Sequence, residues 1–481
     1  MMNNYDVTIG VEVHIELKSK TKAFSSAANS FAAKPNSQVS PVDAGYPGAM
    51  PSLNQEVVVS GIKLAHTLNM KIDPLLRFDR KNYFYPDLPK GYQITQFYHP
   101  IGSNGNLQVT VADKPFLIEF ERVHIEEDTA KQIHQGDLTY LDYNRAGVPL
   151  LELVTKPIFN NAAQVHAYIV ALRRILIALD ISDAKMNEGS LRCDLNISLK
   201  PQASETLGTK VEIKNLNSLN NITLAINDEI IRQSELLLAN KQIEEETRRF
   251  DEKSNQTVLM RKKTSAVDYK YFTEPNIFPV QLEQKWIDDV ISKLPMLPNE
   301  IADILKNKFS LNDSEINVLL DRRDLLLAFE VIVKENNLSK ETVNYLLGPV
   351  LGYLNTQQIN DLSVTKLNYQ HLAELITMIK EQKVNDKQSQ KILTTIFESD
   401  EHNPNELLKL WDVRVITDEK ELSEIIIKLI QDNPQMVEEY FKNPFKANKF
   451  FIGQVMKQTK GQANPKIAQE LVDKLIVEYK K

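Results

Sequence analysis

The sequence predicts an α+β domain with a mostly antiparallel sheet and flanking helices, followed by two all-α domains. Three observations lead there. Before about residue 290 the chain alternates apolar and polar residues in many short runs separated by turn residues, the period of strands. Six of the eight histidines and eleven of the fifteen glycines lie before residue 210, so turns concentrate in this part. Beyond Leu294-Pro295-Met296-Leu297-Pro298 the pattern becomes helical and nearly free of turns. Two prolines three residues apart do not fit inside a helix, so this segment reads as a junction. Asp400-Glu401-His402-Asn403-Pro404 reads as a second one. The resulting division is 1–293, 294–405 and 406–481. Within the first part, Ala162–Leu179 follows Asn160-Asn161, and Leu219–Leu238 carries apolar residues at helical spacing; both are expected to be helices. Stretches such as Glu300–Phe309, Ala328–Asn336 and His371–Glu381 supply the helices of the second.

Composition narrows the function classes. At 481 residues the chain exceeds the ~250–300 residues at which a single core stops growing. Glycine is scarce, 15 residues or about 3% against a usual ~7%. Neither G-x-x-x-x-G-K-[ST] nor G-x-G-x-x-G occurs, which removes P-loop and dinucleotide-fingerprint readings. One cysteine, Cys193, excludes a disulfide framework and a cysteine-rich zinc site. The start of the chain has no basic-then-apolar leader pattern, no apolar run approaches 18 residues, and a cytoplasmic location is expected. The net charge of −7 is unevenly spread: residues 441–481 hold nine lysines and three acids, +6, which leaves −13 for the remainder. A basic tail on an acidic body fits a polyanion partner, or a solvated lysine-rich helix face.

Acids recur on strand faces. Val7–Leu17 alternates without a break, its odd positions apolar, so Glu12 and His14 share the polar face about 6.5–7 Å apart. That spacing lets both reach one metal ion, although on this strand alone a solvent-facing pair with no role is the favoured reading. Arg122-Val123-His124-Ile125-Glu126-Glu127-Asp128 ends in three consecutive acids, which repel unless a cation compensates them; this is either an acidic turn in water or a metal site, for which hard oxygen ligands select Mg²⁺ or Mn²⁺. Leu150-Leu151-Glu152-Leu153-Val154 sets one carboxylate in an apolar run, where it needs a metal or a partner such as Arg145. Leu191–Ile197 places Arg192, Asp194 and Asn196 on one face with Cys193 on the apolar one, and Lys210–Lys214 does the same with Lys210, Glu212 and Lys214. Carboxylates that hold a divalent ion, with cations beside them, are what phosphoryl transfer needs when no P-loop exists.

Several of these runs together resemble a known family. They are Ile9-Gly10-Val11-Glu12-Val13-His14, Lys81-Asn82-Tyr83-Phe84-Tyr85-Pro86-Asp87-Leu88-Pro89-Lys90-Gly91-Tyr92-Gln93, Asn144-Arg145-Ala146-Gly147-Val148-Pro149, Glu188–Asp194 and Lys210–Ser218, with Gly461–Pro465 in the tail. The family is the B subunit of the bacterial aspartyl/glutamyl-tRNA(Asn/Gln) amidotransferase, and the resemblance runs essentially end to end. It implies a catalytic cradle whose sheet is similar to those of glutamine synthetase and guanidino kinases, then a helical domain and a small tail that engages tRNA. It implies ATP-dependent phosphorylation of the side-chain carboxylate of Glu on tRNA(Gln) or Asp on tRNA(Asn). Ammonia from a partner then displaces the phosphate. The implied Mg²⁺ ligands, which double as the catalytic residues, are Glu12, His14, Glu127 and Glu152. A second metal position falls on Glu126, Asp194 and Glu212. Lys81, Lys90, Arg145, Arg192 and Lys214 are candidates for ATP or substrate, and Lys449, Lys457, Lys460 and Lys466 for tRNA.

The inventory of the chain bears on the partners. An apolar-face Cys193 is a poor nucleophile, and the chain lacks a glycine/serine-rich amidase signature, so the ammonia must come from elsewhere. The resemblance supplies a glutaminase (amidase) of the A type and a small third member of the C type, which with this chain make a heterotrimer. Some relatives carry a zinc-binding cysteine cluster after the first strand; here the stretch reads Ala23-Phe24-Ser25-Ser26-Ala27, and no zinc is expected. Two rival readings remain: a carboxylate-amine ligase acting on a free amino acid, and a non-catalytic tRNA-binding scaffold.

Overall fold

A computed structural model describes residues 5–202, 204–262, 268–411, 416, 418–459 and 462–479. The chain divides into two compact units, Met1–Pro298 and Asn299–Lys481. The first holds a mixed sheet with helices, and the second is helical.

The sheet of the first unit has ten strands: β1 (Tyr5–Glu16), β2 (Lys71–Ile72), β3 (Gly102–Ser103), β4 (Asn106–Val111), β5 (Lys114–Glu127), β6 (Pro149–Thr155), β7 (Leu191–Pro201), β8 (Val211–Leu216), β9 (Glu246–Asp251) and β10 (Gln256–Lys262). Their order is β10-β9-β8-β7-β1-β6-β5-β3-β2, with β4 also paired to β5. Every pairing is antiparallel except β8 with β9, which a long helix joins. β1 is thus interior, flanked by β6 and β7, and the alternation read from its sequence has a physical cause. Its odd residues Ile9, Val11, Val13 and Ile15 are fully buried. They share one core with residues of helices α1 (Gln55–Thr67), α2 (Ala162–Ala178) and α3 (Leu219–Leu238).

These helices begin where side chains can serve their free amides. The Asn161 side chain accepts from the Gln164 amide (3.0 Å) at the start of α2, and Ser218 accepts from Asn221 (3.1 Å) at the start of α3. A small sheet pairs Asp79–Asn82 with Tyr92–Thr95 and adds Phe272–Thr273 on its other side. Lys81 lies on this sheet and Lys90 in the loop that closes it.

The second unit contains two hydrophobic clusters. One gathers residues from Leu305 to Leu407, the other residues from Ile416 to Ile476. The helix Pro404–Leu410 buries Leu407 in the earlier cluster. Within the unit, Leu346–Val350 is a π-helical turn that contains Pro349. Proline has no N–H to continue an α-helical ladder and displaces the carbonyl four residues back, so the wider turn accommodates it. Among the described residues no helix is long and apolar enough to cross a membrane.

Candidate active site

The polar face of the sheet brings the predicted acids together by register. Across adjacent strands His124 of β5 stands opposite Glu152 of β6, Glu152 opposite His14 of β1, and His14 opposite Arg192 of β7. His14 Nε2 lies 3.4 Å from Glu152 Oε2 and 3.5 Å from Glu126 Oε1. His124 Nε2 lies 3.3 Å from the same Glu152 oxygen and 3.7 Å from Glu126 Oε2. Two imidazoles and two carboxylates therefore form one nest in the middle of the sheet.

The imidazoles and carboxylates of the nest hold one another's charge. Burial alone would push the His14 imidazole down, but hydrogen bonding and charge from Glu152, with Glu126, hold it above its ordinary value. His124 is likewise opposed by burial, yet the Glu152 and Glu126 carboxylates push it up to about 9. Glu152 runs the other way: burial would raise it, and the two histidines hold it well below the usual carboxylate range. One His14 ring nitrogen and oxygens of Glu126 and Glu152 lie within 4.8 Å of one another, a span that one ion can bridge. The donor set is mostly carboxylate oxygen, which suits a hard divalent cation. His124 Nδ1, buried at the edge of the nest, has no hydrogen-bond partner.

Glu126 stands here where Glu127 was expected. Successive strand residues face opposite sides, so Glu126 shares its face with His124 while Glu127 turns away. Glu127 is instead buried against Lys90, whose ammonium contacts Oε1, and it accepts from the Ile94 amide at 2.9 Å. Glu12 does lie on the face of His14. It is opposite Asp194 and Val154, and Asn196 Nδ2 donates to it at 2.8 Å. Burial, then the Glu152 and Asp194 charges, raises its carboxyl above the ordinary value. Asp194 and Glu212 are not brought to Glu126. Lys214 lies between them, its Nζ 2.6 Å from Asp194 and 3.1 Å from Glu212.

The candidate cations take distinct places. Lys81 sits over the Tyr269 ring at 5.1 Å, and although burial opposes it, the Glu126 carboxylate and its neighbours raise it. Arg145 and Arg192 meet on Asp128. Lys449 lines a depression of ≈ 460 Å³ with Met436, Phe445, Lys446 and Phe450. Lys457 and Lys466 are exposed, and Lys460 lies outside the described residues.

Two features escaped the sequence reading. His124 is in phase with Glu126 on a strand already singled out, so its parity was the available signal. Lys22, fully buried, donates to Asp43 (3.2 Å) and to the Tyr143 carbonyl (3.3 Å), while Ser25 donates to Asp43 (2.9 Å). No local pattern marks that pair. Cys193 is buried on the apolar face, and burial pushes its thiol well up.

An acidic nest on a mostly antiparallel sheet, with lysine and arginine around it and no glycine loop, fits the class of enzymes that act on anionic substrates. Residues 7–288 match the family described as the GatB/GatE catalytic domain, and residues 327–476 match the GatB domain. The chain belongs to the GatB family. It is 43% identical over 476 residues to the aspartyl/glutamyl-tRNA(Asn/Gln) amidotransferase B subunit of Mycoplasma mycoides, covering 99% of both chains. To the B subunit of Mycoplasma mobile it is 44% identical over 479 residues, again 99% of both. To that of Lysinibacillus sphaericus it is 40% identical over 473 residues, 98% of this chain and 99% of the other.

Proposed function

We propose that this chain is the B subunit of a tRNA-dependent amidotransferase. It activates the side-chain carboxylate of Glu on tRNA(Gln), or Asp on tRNA(Asn), for amidation. The observation that carries this reading is the His14–Glu126–Glu152 nest, set on the sheet of a chain whose relatives are aspartyl/glutamyl-tRNA(Asn/Gln) amidotransferase B subunits. A carboxylate does not react with ammonia at neutral pH, because oxide would have to leave. Transfer of the ATP γ-phosphoryl group to a carboxylate oxygen gives an acyl phosphate, from which ammonia displaces phosphate and forms the amide.

His14, Glu126 and Glu152 would hold a Mg²⁺ or Mn²⁺ ion, which when bound neutralises phosphate oxygens. Glu12 supports that centre from two residues along the strand, while Glu127, on the opposite face, is held by Lys90 and the Ile94 amide. An ion at the second position, Glu126 with Asp194 and Glu212, would have to displace Lys214 from Asp194 and Glu212. Lys81, Lys90, Arg145, Arg192 and Lys214 supply fixed positive charge for ATP and the acyl phosphate. The site must exclude water, which would hydrolyse the acyl phosphate, and accept ammonia delivered from outside.

A buried, apolar-face Cys193 leaves the release of ammonia from glutamine to an amidase of the A type, joined by a small C-type member of the heterotrimer, in the cytoplasm. The tail, 406–481, engages tRNA through its lysines, Lys449, Lys457, Lys460 and Lys466 among them. The sheet belongs to the same architectural class as those of glutamine synthetase and guanidino kinases.

The test is the assembled enzyme carrying Glu152→Ala. It should still hydrolyse glutamine and fail to convert Glu-tRNA(Gln); conversion at the parental rate would remove Glu152 from the centre. ATP-dependent phosphate release, lost on chelating the divalent ion, separates this reading from a non-catalytic scaffold.

A further inference from the structure

Beside the acidic nest, two guanidinium groups converge on one carboxylate. Asp128 is buried, its side chain 5% exposed, whereas those of Arg145 and Arg192 are each 37% exposed. Arg145 donates from Nε to Oδ2 (2.6 Å) and from Nη2 to Oδ1 (2.9 Å), a two-pronged pairing. Arg192 donates from Nη2 to the same Oδ2 (2.7 Å). The two arginines make no other side-chain hydrogen bond among the described residues, which leaves Arg145 Nη1 and Arg192 Nε and Nη1 for a ligand. Two like charges drawn to one oxygen would separate without it. Burial would raise the Asp128 carboxyl, but the Arg192 and Arg145 charges hold it below its ordinary value.

Apart from the Thr129 amide, which donates to Asp128 Oδ1 (2.9 Å), the backbone around the cluster is held by main-chain bonds. The Asp128 amide donates to the Val148 carbonyl (2.9 Å), and the Gly147 amide donates to the Asp128 carbonyl (3.0 Å). The turn bearing Arg145 is therefore pinned to the end of β5 by main-chain bonds. Arg192 is carried by β7, directly opposite His14. What the Asp128 carboxylate adds is the orientation of the two side chains.

We propose that Asp128 is a positioning residue that holds Arg145 and Arg192 as a paired seat for the phosphoryl group moving from ATP to the substrate carboxylate. Guanidinium forks match the oxygens of a tetrahedral phosphate, and a pair fixed in advance stabilises charge on that group without reorganisation. The inference rests on the phosphoryl-transfer reading above and specifies which residues bind the transferred group.

The experiment is a double-mutant cycle on the assembled enzyme: Asp128→Asn, Arg145→Gln with Arg192→Gln, and all three together. Each is measured for kcat and KM with ATP and with Glu-tRNA(Gln), for inhibition by inorganic phosphate, and for Mn²⁺ binding. Asp128→Asn should lower kcat roughly 10- to 100-fold and weaken phosphate inhibition, with Mn²⁺ affinity unchanged. Adding it to the double arginine variant should cost nothing further. An unchanged kcat in Asp128→Asn, or an equal loss with and without the arginines, overturns the proposal. A higher KM for Glu-tRNA(Gln) alone, with ATP kinetics and phosphate inhibition intact, also overturns it by making the seat one for carboxylate. If Asp128→Asn does not fold, Arg192→Gln alone decides, and parental phosphate inhibition there is fatal to the seat. If the parent enzyme releases no phosphate from ATP, the phosphoryl-transfer reading fails instead, and equilibrium binding of inorganic phosphate still judges the arginine pair.

Discussion

Lys22 and Asp43 are both out of water, with side chains 0% and 2% exposed. The lysine also holds the Tyr143 carbonyl in the turn that carries Arg145, and burial lowers its ammonium below the ordinary value even though Asp43 opposes this. Removing one member of such a pair strands the other. Lys22→Met should destabilise the protein by ~3–5 kcal/mol, read as a fall in the urea midpoint. A loss below about 1 kcal/mol, the range of exposed pairs, would show that water reaches Asp43. Gly147 closes the same cluster at φ +82°, where a Cβ would meet Asp43 Oδ1 at 2.6 Å, so only glycine fits this turn. The pair could not be read from sequence because it joins two loops whose residues follow no period. Glu12 and His14 could be picked out by strand alternation, Glu126 by its run of acids and Glu152 by its apolar flanks, all of them local signals. Which neighbours each would meet was not legible: register across three strands decides that, and it sets Glu126 beside the two histidines.

At the scale of elements, helix Arg323–Asn336 shows how one acid organises its surroundings. Asp324 accepts two bonds from Arg322, 2.9 and 2.6 Å, and one from the Leu362 amide at 2.8 Å, tying the helix start to a distant turn. Burial would raise its carboxyl; these bonds hold it below its ordinary value. A carboxyl depressed on folding contributes fully above its unfolded value, ~3.9, and loses that contribution as pH falls through the lower folded value. Asp324→Asn should therefore cost about 1.5–3 kcal/mol at pH 7, with a deficit constant down to about pH 5 that shrinks in stronger acid. Denaturation midpoints across that range test it, and a deficit that grows on acidification would reverse the assignment. The helices themselves were largely legible, α3 over its full length and α2 to within one residue, since apolar spacing and capping residues are local signals. The small sheet at Asp79–Asn82 was not, because its strands are too short to show a period.

At the scale of the whole molecule, charge is segregated: +6 on residues 441–481 and −13 elsewhere. Truncation within the assembled enzyme tests what the basic end does. Ending the chain after Trp411 is preferable to ending it at 405, since Leu407 and Trp411 belong to the preceding core. The truncated enzyme should bind tRNA more weakly, with a shallower dependence on salt, while glutamine hydrolysis is retained. Equal tRNA affinity at every salt concentration would assign the lysines to solvation alone. The cross-strand row of His124, Glu152, His14 and Arg192 has a consequence of its own for how the protein comes into being. Its members lie far apart along the chain, and a slip of one residue in any of the three pairings turns a strand over and scatters the row. Closing such distant segments costs loop entropy before any contact repays it, so the row forms only with the completed sheet. A ribosome-bound chain that has not yet delivered β7 lacks the last member of the row, so this face of the sheet is completed late in folding.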